Sequence, residues 1–214
     1  VFRFLPFTLI LLFLFGCFEY EETILFRKQS SGTVEITYTV PLKKDSNDSL
    51  IKFLPTSKEE IIGSVKKKSN NNLQVRDFTF RELEKSETTD MYFKRKGKVS
   101  YKLDFEDPLH LEGVLVGTFS IKSKPRTLLI KRDFPNLTDS VVTEAGAGEK
   151  KIISETSRLL KEGRIQFKVL FPKDSECSSN RGFIGLGNLT YQIPLQETLE
   201  NPDSKTWEYK IRFF

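Results

Sequence analysis

Thr33-Val34-Glu35-Ile36-Thr37-Tyr38-Thr39-Val40 decides the fold, because Val34, Ile36, Tyr38 and Val40 alternate with Glu35, Thr37 and Thr39. Successive side chains on an extended chain point to opposite faces, so alternation with a period of two marks a half-buried strand. Gln29-Ser30-Ser31-Gly32 reads as a turn before it, and Ile24 to Lys28 reads as the strand paired across that turn. Pro41 ends the hairpin. The acidic residues upstream, Glu19, Glu21 and Glu22, read as a short stem.

Working outward, a helix is expected from Ser57 to about Lys68. Ser57 caps it, Glu60 completes a capping box, and Ile61, Ile62 and Val65 form the apolar stripe. Lys66, Lys67 and Lys68 stand at its C-terminal end, where the helix dipole favours cations. Strands are expected at Leu73 to Leu83, Met91 to Arg95 and Val99 to Phe105, with Lys96-Gly97-Lys98 as a tight turn between the last two. Asp107-Pro108 starts a helical turn reaching about Gly113. Val114 to Lys122 and Thr127 to Lys131 read as further strands, and Ala145-Gly146-Ala147-Gly148 as a loose loop. Ile152 to Lys161 reads as a second amphipathic helix stopped by Gly163. Ile165, Phe167, Val169 and Phe171 mark another strand, closed by Pro172. Gly187 to Pro194 and Thr206 to Phe214 read as a last pair, with Trp207, Tyr209, Ile211 and Phe213 inward.

Hairpins dominate and helices fall in two places. The expected class is therefore α+β, a mainly antiparallel β-sheet of hairpins with two amphipathic helices packed on it. The organisation expected is residues 1–16 as a signal segment and 17–214 as a single soluble α+β domain. Hydrophobic residues make up 38% and charged ones 29%, with 19 Phe, so a core is available under a highly charged surface.

The first residues carry the address. Phe4 to Phe15 is almost wholly apolar, interrupted by Pro6 and Thr8, and Arg3 precedes it. Such a stretch suits a signal core and is shorter than the roughly 20 residues a spanning helix needs. It closes in Leu14-Phe15-Gly16-Cys17, which resembles the lipobox of bacterial lipoproteins. Phe15 departs from the commonest pattern and is similar to the looser one of spirochaete lipoproteins. The resemblance implies cleavage between Gly16 and Cys17, diacylglycerol on the Cys17 thiol, and acylation of the freed amine. It places the domain on the bacterial cell envelope, inner or outer membrane, with the bilayer as its first partner. Two or three chains hold stably where one does not, at about 0.8 kcal/mol per buried methylene. Every later apolar run is broken by a charge within about ten residues.

A second resemblance is one of layout. Ser30-Ser31-Gly32 followed by Thr33 to Pro41 is similar to the hairpin that opens LppM-like lipoproteins. So is the C-terminal order: Phe171-Pro172, a Ser178-Ser179-Asn180-Arg181-Gly182 turn, then a strand and a Trp207-bearing strand. Gln29 departs from it, standing where the pattern has an acidic residue. The resemblance implies a lipid- or glycolipid-associated envelope protein with no known enzymatic chemistry.

Catalytic constellations are scarce. With Cys17 lipidated, Cys177 is the one thiol left, so no internal disulfide forms. Cys177 reads as an incidental cysteine in a polar loop, where Asp174 and Glu176 raise its pKa. His110 is the single histidine, which excludes a His-based metal site; it reads as a surface or helix-terminal residue. Gly182-Phe183-Ile184-Gly185-Leu186-Gly187 lacks the dinucleotide spacing and reads as a turn between strands. The carboxylates Glu82, Glu84, Glu87 and Asp90, and Asp104, Glu106 and Asp107, lack the loop of a calcium site and read as solvated faces. No enzymatic activity, metal or cofactor is expected. Asn136-Leu137-Thr138 and Asn188-Leu189-Thr190 match the glycosylation triplet, which an envelope lipoprotein gives no reason to use.

The formal charge is +5, or +4 without Arg3. Lys66, Lys67 and Lys68, and Lys94, Arg95, Lys96 and Lys98, are basic runs. Export argues against nucleic acid as their partner, so their functional use is contact with anionic headgroups, at about 1 kcal/mol per cation near a charged surface. Solvated turns and a helix end explain them without any function. The expected function is a membrane-anchored, non-catalytic binding domain whose ligand is a lipid, a glycan or a protein. The alternative is an assembly subunit that pairs through exposed sheet edges.

Overall fold

The computed structural model describes residues 19–27, 30–51, 53–84, 95–134, 163–194 and 205–214. Along the chain it forms β1 (Glu19–Phe26), β2 (Gly32–Pro41), α1 (Lys58–Lys68), β3 (Gln74–Glu82) and β4 (Lys96–Phe105). A 3-10 turn, Pro108–Leu111, leads to β5 (Thr118–Lys124) and β6 (Thr127–Phe134). The last third holds β7 (Arg164–Leu170), β8 (Glu176–Ser179), β9 (Phe183–Gly185), β10 (Asn188–Pro194) and β11 (Lys205–Arg212). These strands make two sheets, β3-β4-β2-β1-β7-β10-β9 and β5-β6-β11-β8. Every pairing is antiparallel except β1 with β7.

The opening hairpin forms as expected, but its first strand is longer. β1 reaches back to Glu19, with Tyr20 opposite Tyr38 and Ile24 opposite Val34. Tyr20, Glu22, Ile24 and Phe26 all point inward, so the acidic stem is part of the strand and Glu22 lies in the core. At the turn Gly32 is obligatory, because a Cβ there would sit 2.0 Å from the Leu25 carbonyl oxygen.

Helix α1 also forms as expected. The Glu60 amide donates to Ser57 Oγ at 3.4 Å, Ile61 and Val65 are buried, and Lys66–Lys68 fill the last turn. The second expected helix, Ile152 to Lys161, lies outside the described residues, as do the 145–148 loop and residues 91–94.

Three readings are corrected. Lys96-Gly97-Lys98 is not a turn but the start of β4, opposite Pro41 to Thr39. Gly97 serves packing there, since a Cβ would lie 2.6 Å from the Phe80 ring. Second, the strand expected from Val114 begins only at Thr118, because Gly117 turns the chain with φ +86. Third, Gly187–Pro194 and Thr206–Phe214 are not partners. β10 pairs with β7 and β9 in the large sheet, while β11 pairs with β6 and β8 in the small one.

One face of the large sheet is apolar and covered. The small sheet lies over its β1, β7 and β10 strands, where Phe134 stacks on Phe167 at 5.1 Å and Trp207 lies 5.7 Å from Phe167. The α1 segment covers the β2–β4 side, pinned where the Tyr38 hydroxyl donates to the Pro55 carbonyl. Among the described residues the inner layer is thus a second sheet plus one helix, and the second expected helix lies outside them. The other face carries Glu21, Thr23, Glu35, Thr37, Lys98 and Lys168 and is open to solvent. An antiparallel sheet tolerates one wet face, which is what the period-2 alternation encodes. Among the described residues no helix is long and apolar enough to cross a membrane.

Candidate functional site

The two basic runs part company in the fold. Lys66, Lys67 and Lys68 are exposed at the end of α1, which packs on the covered face of the large sheet. Lys98 is exposed and pairs with Thr39, on the open face. The runs therefore stand on opposite sides of one sheet and cannot form a single patch. Lys96 is 2% exposed, and burial removes it from any headgroup surface. Arg95 is committed internally. Its guanidinium donates to Glu82 at 2.7 and 2.8 Å, to the carbonyls of Lys43, Lys44 and Ser46, and to Asn47 Oδ1. It closes the loop after β2 rather than reaching outward. Gly16, Cys17 and Lys94 lie outside the described residues.

Cys177 is not in a loop. It lies on β8 opposite Ile211, half-buried at the sandwich edge. Desolvation by burial pushes its thiol up to about 11, so it is neutral at physiological pH. His110 sits in the 3-10 turn, capped by Asp107, whose carboxylate accepts from the Leu109 amide at 2.9 Å. Of the other described carboxylates, Glu82 is engaged by Arg95, and Asp104 by Arg76 and by the Thr33 hydroxyl, while Glu106 is exposed just past the end of β4. Glu87, Asp90 and Asn136 lie outside the described residues. Gly182 to Gly187 forms the β9–β10 hairpin, the turn that its spacing indicated.

The most elaborate polar constellation escaped sequence reasoning. Arg132 of β6 donates from Nη1 and Nη2 to Glu22 Oε1 and Oε2 at 2.7 and 2.8 Å, and from Nε to the Val116 carbonyl at 2.7 Å. The Tyr20 hydroxyl donates to Glu22 at 2.9 Å. Burial, reinforced by the Glu22 charge, holds the Tyr20 phenol well above its usual pKa, so it remains a donor. The guanidinium lies among aromatic rings, with the Phe167 centroid at 4.2 Å, that of Phe134 at 5.2 Å and that of Phe119 at 5.5 Å. The pair is sealed, with side chains 0% and 1% exposed. A substrate cannot reach it, and its role is to lock one sheet on the other. The signal was present in the sequence: Glu22 falls in register with Tyr20, Ile24 and Phe26, and Arg132 with Leu128, Ile130 and Phe134.

A shallow trough of about 640 Å³ lies on the outward face of the small sheet. Lys122 of β5 and Lys210 of β11 both pair with Leu129, giving a Lys–Leu–Lys row across three strands. The next row is Ser120, Lys131 and Glu208, and Ser178 and Asn180 close the far side. Lys131 bonds Asp133 at 3.3 Å. Hydroxyls, an amide, three ammonium groups and the Glu208 carboxylate around one apolar floor can hold a polar ligand, but they hold no nucleophile poised beside a base.

Comparison with known proteins places the chain. The family model described as LIC11874-like matches residues 12–214, and the chain belongs to that family. No curated protein matches it. Among solved structures it is similar to the folded domain of the Mycobacterium tuberculosis LppM protein, at 10% identity and a TM-score of 0.47, with 92% of this chain and 91% of that one covered. It is also similar to an M1 zinc metallopeptidase from Deinococcus radiodurans, at 10% identity and a TM-score of 0.35, covering 92% of this chain and 42% of that one. An aminopeptidase N family protein from Idiomarina loihiensis stands at 9% and 0.32, with 91% and 29% covered. These likenesses are too distant to assign chemistry.

Proposed function

We propose that this member of the LIC11874-like family is a bacterial envelope lipoprotein, anchored through lipidated Cys17, whose β-rich domain binds rather than catalyses. The observation that carries the reading is the apolar run ending in Leu14-Phe15-Gly16-Cys17, set two residues before β1 begins at Glu19. Two residues span at most about 7 Å. A diacylglycerol on Cys17 would hold the Glu19 end of the large sheet against the bilayer, with almost no slack.

The ligand reading follows the surface, not the interior. Phe134, Phe167, Tyr191 and Trp207 fill the space between the sheets, their ring centroids 5.1–6.5 Å apart. A lipid chain held inside the sandwich is therefore the weaker form of the idea. The Lys122–Lys131–Lys210 trough favours a polar, anionic ligand such as a charged glycan or a glycolipid headgroup. Metabolic labelling with radioactive palmitate tests the anchor. Label in the wild type and none in Cys17→Ala supports the proposal; equal label in both, or label in neither, overturns it.

The alternative is assembly through sheet edges. It draws on β3 and β9, which end the large sheet, β9 with only Phe183–Gly185. β3 is interrupted by a bulge between Arg76 and Thr79, with Asp77 at φ 51. Bulged and short edges are the usual defence against strand addition, so the binding-domain reading is preferred.

A further inference from the structure

The β9–β10 hairpin shows three large apolar side chains to solvent. Phe183 is 85% exposed, Leu186 75% and Ile184 49%. The hairpin backbone leaves them little choice. Gly182 is at φ +88, where a Cβ would fall 2.4 Å from the Thr190 carbonyl oxygen, and Gly187 is at φ +72 against the Phe171 carbonyl oxygen. Glycines at both ends thus fix a narrow turn that presents its apolar residues outward. Phe183, opposite Thr190, lies on the open face and Ile184, opposite Leu189, on the other; large apolar side chains exposed together at one hairpin of a charged protein mark an interaction site.

Its surroundings choose the partner. From Ser178 to Gln192 there is no carboxylate. The nearby charges include Arg181, Lys173, whose side chain lies against Gly187, and Lys168, in the same cross-strand row as Thr190 and Phe183, with Asp174 next to Lys173 in sequence and Glu21 two residues along β1 from the Thr23 that pairs with Lys168. Apolar side chains flanked by cations match the headgroup–acyl boundary of an anionic bilayer. Phe183 pairs with Thr190, on the open face of the large sheet, the face that also carries Leu25 at 39% exposure.

We propose that this hairpin is a membrane-contact element: Phe183 and Leu186 enter an anionic lipid surface, and the open face of the large sheet lies along the bilayer. The contact stands without the lipid anchor, but the orientation rests on it. The hairpin turn is level with Leu25, six residues along β1 from Glu19, which is about 20 Å at the rise of a strand. Anchor and hairpin can therefore touch one membrane only if the strands run along its surface. Lys98 and Lys168 then face headgroups beside Glu21 and Glu35, Lys66–Lys68 point away, and the Lys122–Lys210 trough stays open for a ligand.

The test uses the full chain with vesicles of equimolar phosphatidylcholine and phosphatidylglycerol containing brominated acyl chains, which quench nearby tryptophan. Leu186→Trp places a probe on the hairpin. Phe53→Trp places one at an exposed residue beside α1, on the other side of the sheet; the native Trp207 is buried and gives the baseline. Bromolipid quenching several-fold greater for Leu186→Trp than for Phe53→Trp is expected. Equal quenching of both, or an unquenched Leu186→Trp in a chain that floats with the vesicles, overturns the proposal and leaves the hairpin to a protein partner. The same probe in a Cys17→Ala chain separates the two claims: quenching there supports the hairpin contact even if the anchor reading fails.

Discussion

Arg132 and Glu22, 110 residues apart in sequence, meet in a bidentate ion pair of 2.7 and 2.8 Å between two sheets, with neither side chain exposed. Removing one partner leaves a buried charge without compensation, at a cost of about 3–5 kcal/mol, while replacing both with apolar residues is often neutral or better. Urea unfolding should therefore show Glu22→Gln and Arg132→Met each strongly destabilised, and Glu22→Leu/Arg132→Met recovering most of the loss. Additive losses in the double variant would contradict this account of the pair.

Trp207 is the chain's single tryptophan, fully buried between Phe167, Tyr191 and Tyr209, with its indole N–H on Ser179 Oγ at 3.0 Å. Its emission should be blue-shifted and resist acrylamide until the protein unfolds. Trp207→Ala should cost about 3–5 kcal/mol by opening a cavity between the sheets.

Cys177, with its thiol pushed up to about 11 by burial, should alkylate slowly at pH 8 and much faster above pH 10. Because the neutral form is favoured in the fold, its stabilising contribution is complete below the unfolded thiol's pKa and is lost as pH rises toward 11. Peptide mapping after iodoacetamide at a series of pH values reads the profile directly.

Glu82 is held below its usual 4.5 by hydrogen bonds from Arg95. A depressed carboxylate contributes stability above the unfolded pKa and loses it as pH falls through the folded value. Glu82→Gln should therefore be less stable than wild type at pH 7, and the two should converge below the folded pKa. Arg95→Lys should loosen the loop after β2, seen as faster amide exchange at Leu42 and Lys43, without changing vesicle affinity.

The local structure was legible where one segment determines it. Val34 to Val40 alternates, Ser57 and Glu60 start a helix, and Trp207 to Phe213 shows its inward face without reference to anything else. What stayed hidden was set by distant partners. β10 and β11 read as a pair because they are neighbours in sequence, yet their contacts send them to different sheets. Glu22 read as part of an acidic stem because a carboxylate in an apolar register makes sense only once Arg132 is seen across from it. Lys96 and Arg95 read as a free basic run for the same reason: burial and the carbonyls of residues 43, 44 and 46 are tertiary facts.

The anchor at Cys17 is the claim on which the rest of the functional account turns, and the mass of the intact protein extracted from its native membrane measures it most directly. The account predicts the mass of residues 17–214 plus a diacylglyceryl group and acyl chain, absent in Cys17→Ala. A mass with no lipid added to the wild-type chain would contradict it.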